Sequence, residues 1–126
     1  MKGVLVDTSV WVDHFRRQNN ALTDLLELDL VMAHPLVVGE IACGTPPHRI
    51  QTLTDLGSLQ QAQLASVREM MDFIERERLF GAGCGLIDLM LLASTLITPG
   101  TELWTLDKRL SGLADRFGVM HRSTLH

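Results

Sequence analysis

The stretch from Gly3 to Ser9, GVLVDTS, decides the fold of this chain. Its first four residues are apolar and rich in β-branched side chains, which predicts a strand buried on both faces at the centre of a parallel sheet. Asp7 follows this strand directly. Thr8 and Ser9 are residue types that cap helices, and we expect one of them to begin a helix from Val10 to about Arg17. The stretch therefore predicts an α/β fold with Asp7 at the carboxyl end of a central strand.

Asp7 is the first candidate site residue. Ligands of open α/β sheets bind at the carboxyl edge of the strands, where this side chain is expected to lie. A helix cap is the alternative role for an aspartate at this position. The buried strand before Asp7 and the hydroxyl residues after it favour a site residue.

Strands and helices alternate along the rest of the chain. This alternation predicts one domain over residues 1–126, with a three-layer α/β/α architecture and a short parallel sheet of about four strands. The further strands are predicted at Leu30–Ala33, at Glu102–Thr105 and, at an edge, at Gly118–Met120, and the helices at Ala21–Leu28, Pro35–Cys43, His48–Leu56, Leu64–Leu79 and Lys108–Phe117.

Apolar residues at helical spacing predict which helix faces are buried. The helix Leu64–Leu79, the longest one predicted, carries its charged residues on the face expected to meet solvent. The residues predicted to face inward are Ile50, Leu53 and Leu56 on the shorter helix, and Leu64, Val67, Met71 and Ile74 on the longer one.

The segment Phe80–Gly100 contains a single charge, Asp88. Asp88 shares one helix face with Leu91, Leu92 and Thr95, which follow it at positions i+3, i+4 and i+7. A carboxylate that faces inward costs several kcal/mol unless something neutralises it. The segment has no Lys, Arg or His, so the neutralising group is expected to come from elsewhere in the fold or to be a bound cation.

Composition limits the possible functions. A formal charge of −4 over 126 residues argues against coating nucleic acid through bulk positive charge. It leaves nucleic acid open as a substrate, because a metal-loaded acidic site brings its own cations.

The N-terminal apolar run is too short for a signal peptide, and the run 86–97 is too short to cross a bilayer. We therefore expect a cytoplasmic protein with no membrane contact, with Cys43 and Cys84 as buried free thiols.

Four carboxylates are expected to converge. Asp7 and Asp107 follow strands, while Glu40 and Asp88 lie near the beginnings of helices. Right-handed crossovers bring consecutive strand ends to one edge of the sheet. Four carboxylates in one pocket cannot all ionise without cations, and a set of oxygen ligands selects Mg²⁺ or Mn²⁺. Such ions activate water for attack on a phosphodiester, so the residues predict phosphoryl hydrolysis.

Four segments together resemble the motif blocks of PIN-domain ribonucleases, and more narrowly those of VapC-type toxins from bacterial toxin–antitoxin pairs. The segments are VLVDTSVWVD, PLVVGEIACG, GCGLIDLMLLAS and LWTLDKRL, and they occur in the family's order from residue 4 to about 110. The resemblance implies that Asp7, Glu40, Asp88 and Asp107 are catalytic and bind the metal. It also implies that Ser9 and Thr105 are supporting hydroxyls.

The resemblance further implies an endoribonuclease that cuts structured RNA, such as tRNA or rRNA, to 3′-hydroxyl and 5′-phosphate ends. A homodimer and a VapB-like antitoxin that blocks the pocket are also expected. Trp11, Phe15 and the second helix are candidate antitoxin contacts, although core packing explains them equally well. The polar segment 57–65 departs from the family pattern, which has a further short strand there, and this favours four strands over five.

Other functions fit less well. Phosphatases of the haloacid-dehalogenase type need a second Asp two residues after the first, where this chain has Ser9, and receiver domains need an adjacent acidic pair. A nucleotide-binding module is disfavoured because Gly81–Gly85 follows a helix rather than a strand and has the wrong glycine spacing. A housekeeping RNA-processing PIN nuclease would have the same pocket and remains the alternative function.

Overall fold

The computed structural model describes residues 3–122, which form four strands and seven helices. The strands make one parallel sheet in the order β3-β2-β1-β4. Their bounds are Gly3–Val6 for β1, Val31–Ala33 for β2, Gln60–Gln61 for β3 and Thr101–Trp104 for β4.

The helices connect the strands and flank the sheet. Pro35 occupies the first turn of α3, where its missing N–H costs nothing, and Ser66 and Glu69 form a reciprocal capping box at the beginning of α5. The predicted α/β/α fold class is confirmed. The bounds are Thr8–Arg17 for α1, Asn20–Glu27 for α2, Pro35–Ala42 for α3, Arg49–Gly57 for α4, Val67–Glu77 for α5, Leu86–Ile97 for α6 and Lys108–Arg116 for α7.

The core lies around β1. All four residues of this strand are buried, as their apolar run predicts, and β2 and β4 pair with it on either side. Leu91 and Leu92 of α6 are fully buried, so this helix has the inward face expected from its spacing. Within residues 3–122, no helix combines the length and the apolarity needed to span a bilayer.

The sheet has the predicted number of strands, but one member differs from the prediction. The segment Gly118–Met120 is not a strand, because only a single parallel bridge joins Met120 to Leu103. The fourth strand is β3, inside the polar segment 57–65, and it pairs with β2. Its side chains are exposed at the sheet edge, so strand formation there depends on backbone hydrogen bonds that an apolar pattern does not reveal.

The buried faces of two helices were predicted correctly only in part: Leu53, Leu56 and Ile74 pack on the core as expected, but the other predicted residues do not. On α5 the buried residues are Met70 and Phe73, while Val67 and Met71 are exposed. On α4 Ile50 is 81% exposed. Both helices carry apolar side chains on more than one face, and only the packing partner decides which face is covered. Leu64 is also exposed and lies before α5, which begins at Val67. The longest helix of residues 3–122 is therefore α6, with 12 residues against 11 for α5, and not the helix predicted at Leu64–Leu79.

The two cysteines are free, as expected, but neither is buried. Cys43 is exposed at the end of α3, and Cys84 is half-buried in the loop before α6. Helix ends and loops have fewer neighbours than helix centres, so the apolar sequence around each thiol overstated its burial.

Candidate active site

Asp7 lies at the carboxyl end of β1 and is held there by two hydroxyls. Its backbone N–H donates to the carbonyl of Trp104 at 2.9 Å, which fixes it against β4. Ser9 Oγ and Thr105 Oγ1 each donate to Asp7 Oδ2 at 2.7 Å. Asp7 as a whole is buried, with 6% of its surface exposed. Two charge-assisted hydrogen bonds therefore fix its orientation.

The direction of these hydrogen bonds follows from counting protons. Ser9 Oγ accepts from the N–H of Leu106, and Thr105 Oγ1 accepts from the N–H of Asp107, each at 3.0 Å. Each hydroxyl has one proton, and that proton is directed to Asp7. The 3.3 Å contact between the two hydroxyls is therefore not a hydrogen bond. Within residues 3–122 no hydrogen bond reaches Asp7 Oδ1, which leaves this oxygen available to a cation.

Thr8 and Ser9 do not cap α1, contrary to the prediction. Asp7 is the N-cap residue and makes no side-chain cap hydrogen bond. Thr8 Oγ1 instead donates to Glu40 Oε1 at 2.6 Å, which joins the first turn of α1 to α3. Sequence reasoning missed Thr8 as a site residue, although its position next to Asp7 in a motif block was a usable signal.

Asp88 lies in the first turn of α6 and is half-buried. Burial raises the pKa of its carboxyl above the usual value, and a hydrogen bond from the backbone of Gly85 partly opposes this rise. The negative charges of Asp7, Asp107 and Glu40 raise the pKa further. All three other acids act on Asp88, so the fold brings the four sequence-predicted carboxylates into one neighbourhood. We call this neighbourhood the acidic site.

Asp107 caps α7. Its Oδ1 accepts from the N–H groups of Arg109 at 2.9 Å and Leu110 at 3.0 Å. One oxygen is therefore engaged with the helix, and the other is available to a ligand. Because the backbone N–H of Asp107 also donates to Thr105, the network around Asp7 fixes the turn that carries Asp107.

The donor set fits a hard divalent cation. It consists of carboxylate oxygens that repel one another, and a cation would relieve this repulsion. Within residues 3–122, no three Asp, Glu, His or Cys side chains lie close enough to one another to ligate a single ion. Ligation of one ion by three or more of these carboxylates would therefore require them to move closer together.

A groove of about 450 Å³ opens beside the acidic site, between α1 and α3. Thr8 and Glu40 belong to both the groove and the acidic site, and Arg16 and Phe15 line the groove further along. Phe15 also borders a second cavity of about 290 Å³, which is lined by Trp11 and by residues of α2 and α4. Phe15 borders both openings, and we call these two openings, which lie along α1 on the way to Glu40, the path along α1.

Comparison with known proteins assigns the family. Residues 4–116 match the family model of the PIN domain. The chain belongs to the PIN-domain family. The similar proteins include Ribonuclease VapC32 from two strains of Mycobacterium tuberculosis, CDC 1551 / Oshkosh and ATCC 25618 / H37Rv. Each is 40% identical to this PIN domain over 116 residues, which cover 92% of this chain and 94% of the relative.

The predicted resemblance to VapC-type proteins is thereby confirmed over nearly the whole chain. All six sequence-predicted site residues lie inside the matched PIN domain. Their catalytic and metal-binding roles remain predictions.

Proposed function

We propose that this PIN domain is a metal-dependent endoribonuclease and the toxin of a type II toxin–antitoxin pair. The observation that carries this proposal is the acidic site, where three carboxylates act electrostatically on Asp88 while two hydroxyls orient Asp7. The similarity to proteins named Ribonuclease VapC32 supports RNA as the substrate and a VapB-like antitoxin as the partner.

The four carboxylates would hold Mg²⁺ or Mn²⁺. When bound, the ion would supply a polarised water and would offset the negative charge of the phosphodiester. Asp7 would present Oδ1, because Ser9 and Thr105 occupy its other oxygen. Thr8 would orient Glu40 through the 2.6 Å hydrogen bond. Asp88 has a raised pKa, and a neighbouring cation would offset the burial and the negative charges that disfavour its ionised form.

Water is the proposed nucleophile. The hydroxyl protons of Ser9 and Thr105 are directed to Asp7, so neither group is prepared to attack phosphorus. Burial, Asp88 and Asp107 raise the pKa of the Cys84 thiol, which keeps it protonated and unreactive. The water oxygen would bond to phosphorus as the bond from phosphorus to the 3′ oxygen breaks. A proton would pass to that oxygen, leaving 3′-hydroxyl and 5′-phosphate ends on an RNA such as tRNA or rRNA.

The path along α1 is the proposed binding site of the antitoxin. Trp11 is 4% exposed and packs in the core, yet its indole Nε1 is buried without a hydrogen-bond partner in the described part of the chain. An unpaired buried donor is costly, but this atom lies inside the core, so a bound segment would contact the lining of the two openings and not Nε1. A segment that runs from Trp11 past Phe15 to Glu40 would cover the acidic site.

A homodimer is proposed through the exposed apolar side chains at the beginning of α5, Leu64, Val67 and Met71, which are 57%, 63% and 53% exposed. Adjacent exposed apolar residues are typical of interaction surfaces. A cytoplasmic location is proposed together with the toxin function, since the RNA substrates are found there.

RNA cleavage by the purified protein tests the enzymatic proposal. Cleavage is expected with Mg²⁺ or Mn²⁺ and is expected to stop with EDTA and in Asp88→Asn, whose side chain keeps its shape but loses its charge. Equal cleavage by wild type and variant would remove Asp88 from the mechanism. Growth arrest on expression, relieved by co-expression of a small protein encoded next to this gene, would separate a toxin from a housekeeping nuclease.

A further inference from the structure

RNA must approach an acidic site on an acidic protein. The formal charge is −4, and the four carboxylates repel phosphate until metal is bound. A few well-placed basic side chains are therefore needed to hold the RNA backbone, because phosphate contacts supply most of the affinity for nucleic acids. Arg16 and Arg109 are the candidates for this role.

Arg109 is held beside the acidic site by a glycine loop. It lies on α7, two residues after Asp107, and its Nη1 donates to the carbonyl of Gly83 at 3.4 Å. A Cβ on Gly83 would lie 2.7 Å from Arg109 Cδ, so the absence of a side chain at Gly83 makes room for the arginine. Arg109, Asp88 and Asp107 all act on the Cys84 thiol. Arg109 therefore lies two residues after Asp107 and against the loop of Gly83 and Cys84, which leads into the helix that carries Asp88.

Arg16 lies on the other side of the acidic site. It lines the groove that also contains Thr8 and Glu40, and it is exposed to solvent. Within residues 3–122, neither Arg16 nor Arg109 forms a salt bridge with a carboxylate. Both positive charges are thus available to an anionic ligand.

Most other arginines are engaged elsewhere. Arg49 donates to the carbonyls of Ala42 and Gly44. Those that pair with acidic side chains are Arg17, Arg76, Arg116 and Arg122. Arg68 is exposed on α5, a helix that faces Ala93, Leu96 and Ile97 near the end of α6, far along that helix from Asp88. Arg68 is therefore a matched control for an exposed arginine away from the acidic site.

The order of the strands places Arg16 and Arg109 on opposite sides of the acidic site. Glu40 follows β2 and Asp107 follows β4, while Asp7 follows β1, which lies between these two strands. We propose that Arg16 and Arg109 bind RNA phosphates on either side of the bond to be cut, so that the RNA backbone crosses the acidic site from the β2 side to the β4 side. This inference rests on the proposed nuclease function.

The test measures how the affinity for RNA depends on salt. A labelled RNA stem–loop is titrated with the Asp88→Asn protein, which binds without cutting, and with the same protein carrying Arg16→Gln, Arg109→Gln, both changes or Arg68→Gln. Each lost phosphate contact is expected to reduce the slope of log affinity against log salt by about 0.7 to 0.9. The double variant should lose about twice as much, Arg68→Gln should match the parent, and Arg109→Lys should keep most of the slope because it keeps the charge.

A structural role would give a different result. If Arg109 only supported the Gly83 loop, Arg109→Gln in the otherwise wild-type protein would weaken cleavage, and lysine would not restore that cleavage. The salt slope measured in the Asp88→Asn protein would not change. An unchanged slope in both single variants, or equal losses in Arg68→Gln, would overturn the proposal.

Cleavage assays separate this inference from the proposed function. Metal-dependent cleavage by the otherwise wild-type protein together with unchanged slopes would refute only the arginine contacts. Arginine-dependent slopes without any metal-dependent cleavage would keep the RNA path and refute the nuclease.

Discussion

Asp88→Asn is expected to change activity and stability in opposite directions. Burial and three neighbouring acids raise the pKa of Asp88, which means that the fold disfavours its charged form. A group with a raised pKa contributes most stability when protonated, and that contribution is lost as pH rises from its ordinary value of 3.8 through the raised one. Near pH 7 without metal, the neutral asparagine should therefore make the fold more stable.

The size of the effect is modest. Asp88 is half-buried, so solvent screens part of the repulsion, and we expect a gain of about 0.5 to 1 kcal/mol. For a domain of this size that corresponds to a rise in Tm of roughly 2 to 5 °C. Metal should reverse the order, because an ion at tenfold its Kd stabilises the wild type by about 1.4 kcal/mol and the variant by less. Cleavage should fall at least about 100-fold, since the charge of a bound metal contributes several kcal/mol to the transition state.

Thermal unfolding in EDTA and in Mg²⁺, at pH 7 and at pH 5, measures all of these changes except cleavage. The advantage of the variant in EDTA should shrink at the lower pH as the wild-type carboxyl takes up a proton. Asp72→Asn, an exposed acid on α5, is the control and should change Tm little in either buffer. An Asp88→Asn protein that is less stable than wild type in EDTA would refute the electrostatic reasoning, and so would a wild type that metal does not stabilise.

Three further changes test other contacts. Thr105→Val removes one of the two hydroxyl donors to the carboxylate of Asp7. It should lower the free energy of unfolding, measured with urea, by about 1 to 3 kcal/mol. An unchanged free energy would mean that this hydrogen bond does not stabilise the fold. The His34 side chain accepts a hydrogen bond from the N–H of Leu36 and is hydrogen-bonded to Ser94 Oγ, and burial lowers its pKa. The wild type should therefore lose stability as the pH falls below 6.5, whereas His34→Gln should not. Parallel curves of stability against pH for the two proteins would contradict this. Met71→Glu should weaken a dimer in sedimentation without changing the monomer fold, and an unchanged dimer would place the interface elsewhere.

Several site features were readable from residue types and spacing. The uncharged run GVLV identified a buried central strand, and the end of that strand placed Asp7 at the carboxyl edge of the sheet. The isolated charge on α6 indicated that Asp88 needed an electrostatic partner, and the structure surrounds it with three more acids instead of a base. These inferences succeeded because a buried segment is apolar, so a single charged residue within or directly after it can be recognised from the sequence.

Other site features could not be recognised from the sequence. The hydroxyls of Thr8 and Ser9 carried a good capping pattern, yet they donate to carboxylates, one of them 32 residues away on α3. Arg109 was indistinguishable from other exposed arginines until the fold placed it against Gly83. A local pattern reports which bonds a side chain is able to make, and the competing partner from another element decides which one forms.

The sequence by itself determined the α/β alternation, the central strand and the four acids, because these depend on local propensity and on which residues avoid water. Only the tertiary structure decided that Gln60–Gln61 completes the sheet, that Met70 and Phe73 form the buried face of α5, and that the proton of Thr105 is directed to Asp7. Each of these depends on a contact between segments far apart in the chain. Such contacts are selected by packing and by the pairing of buried polar groups over the whole molecule, which no single segment encodes.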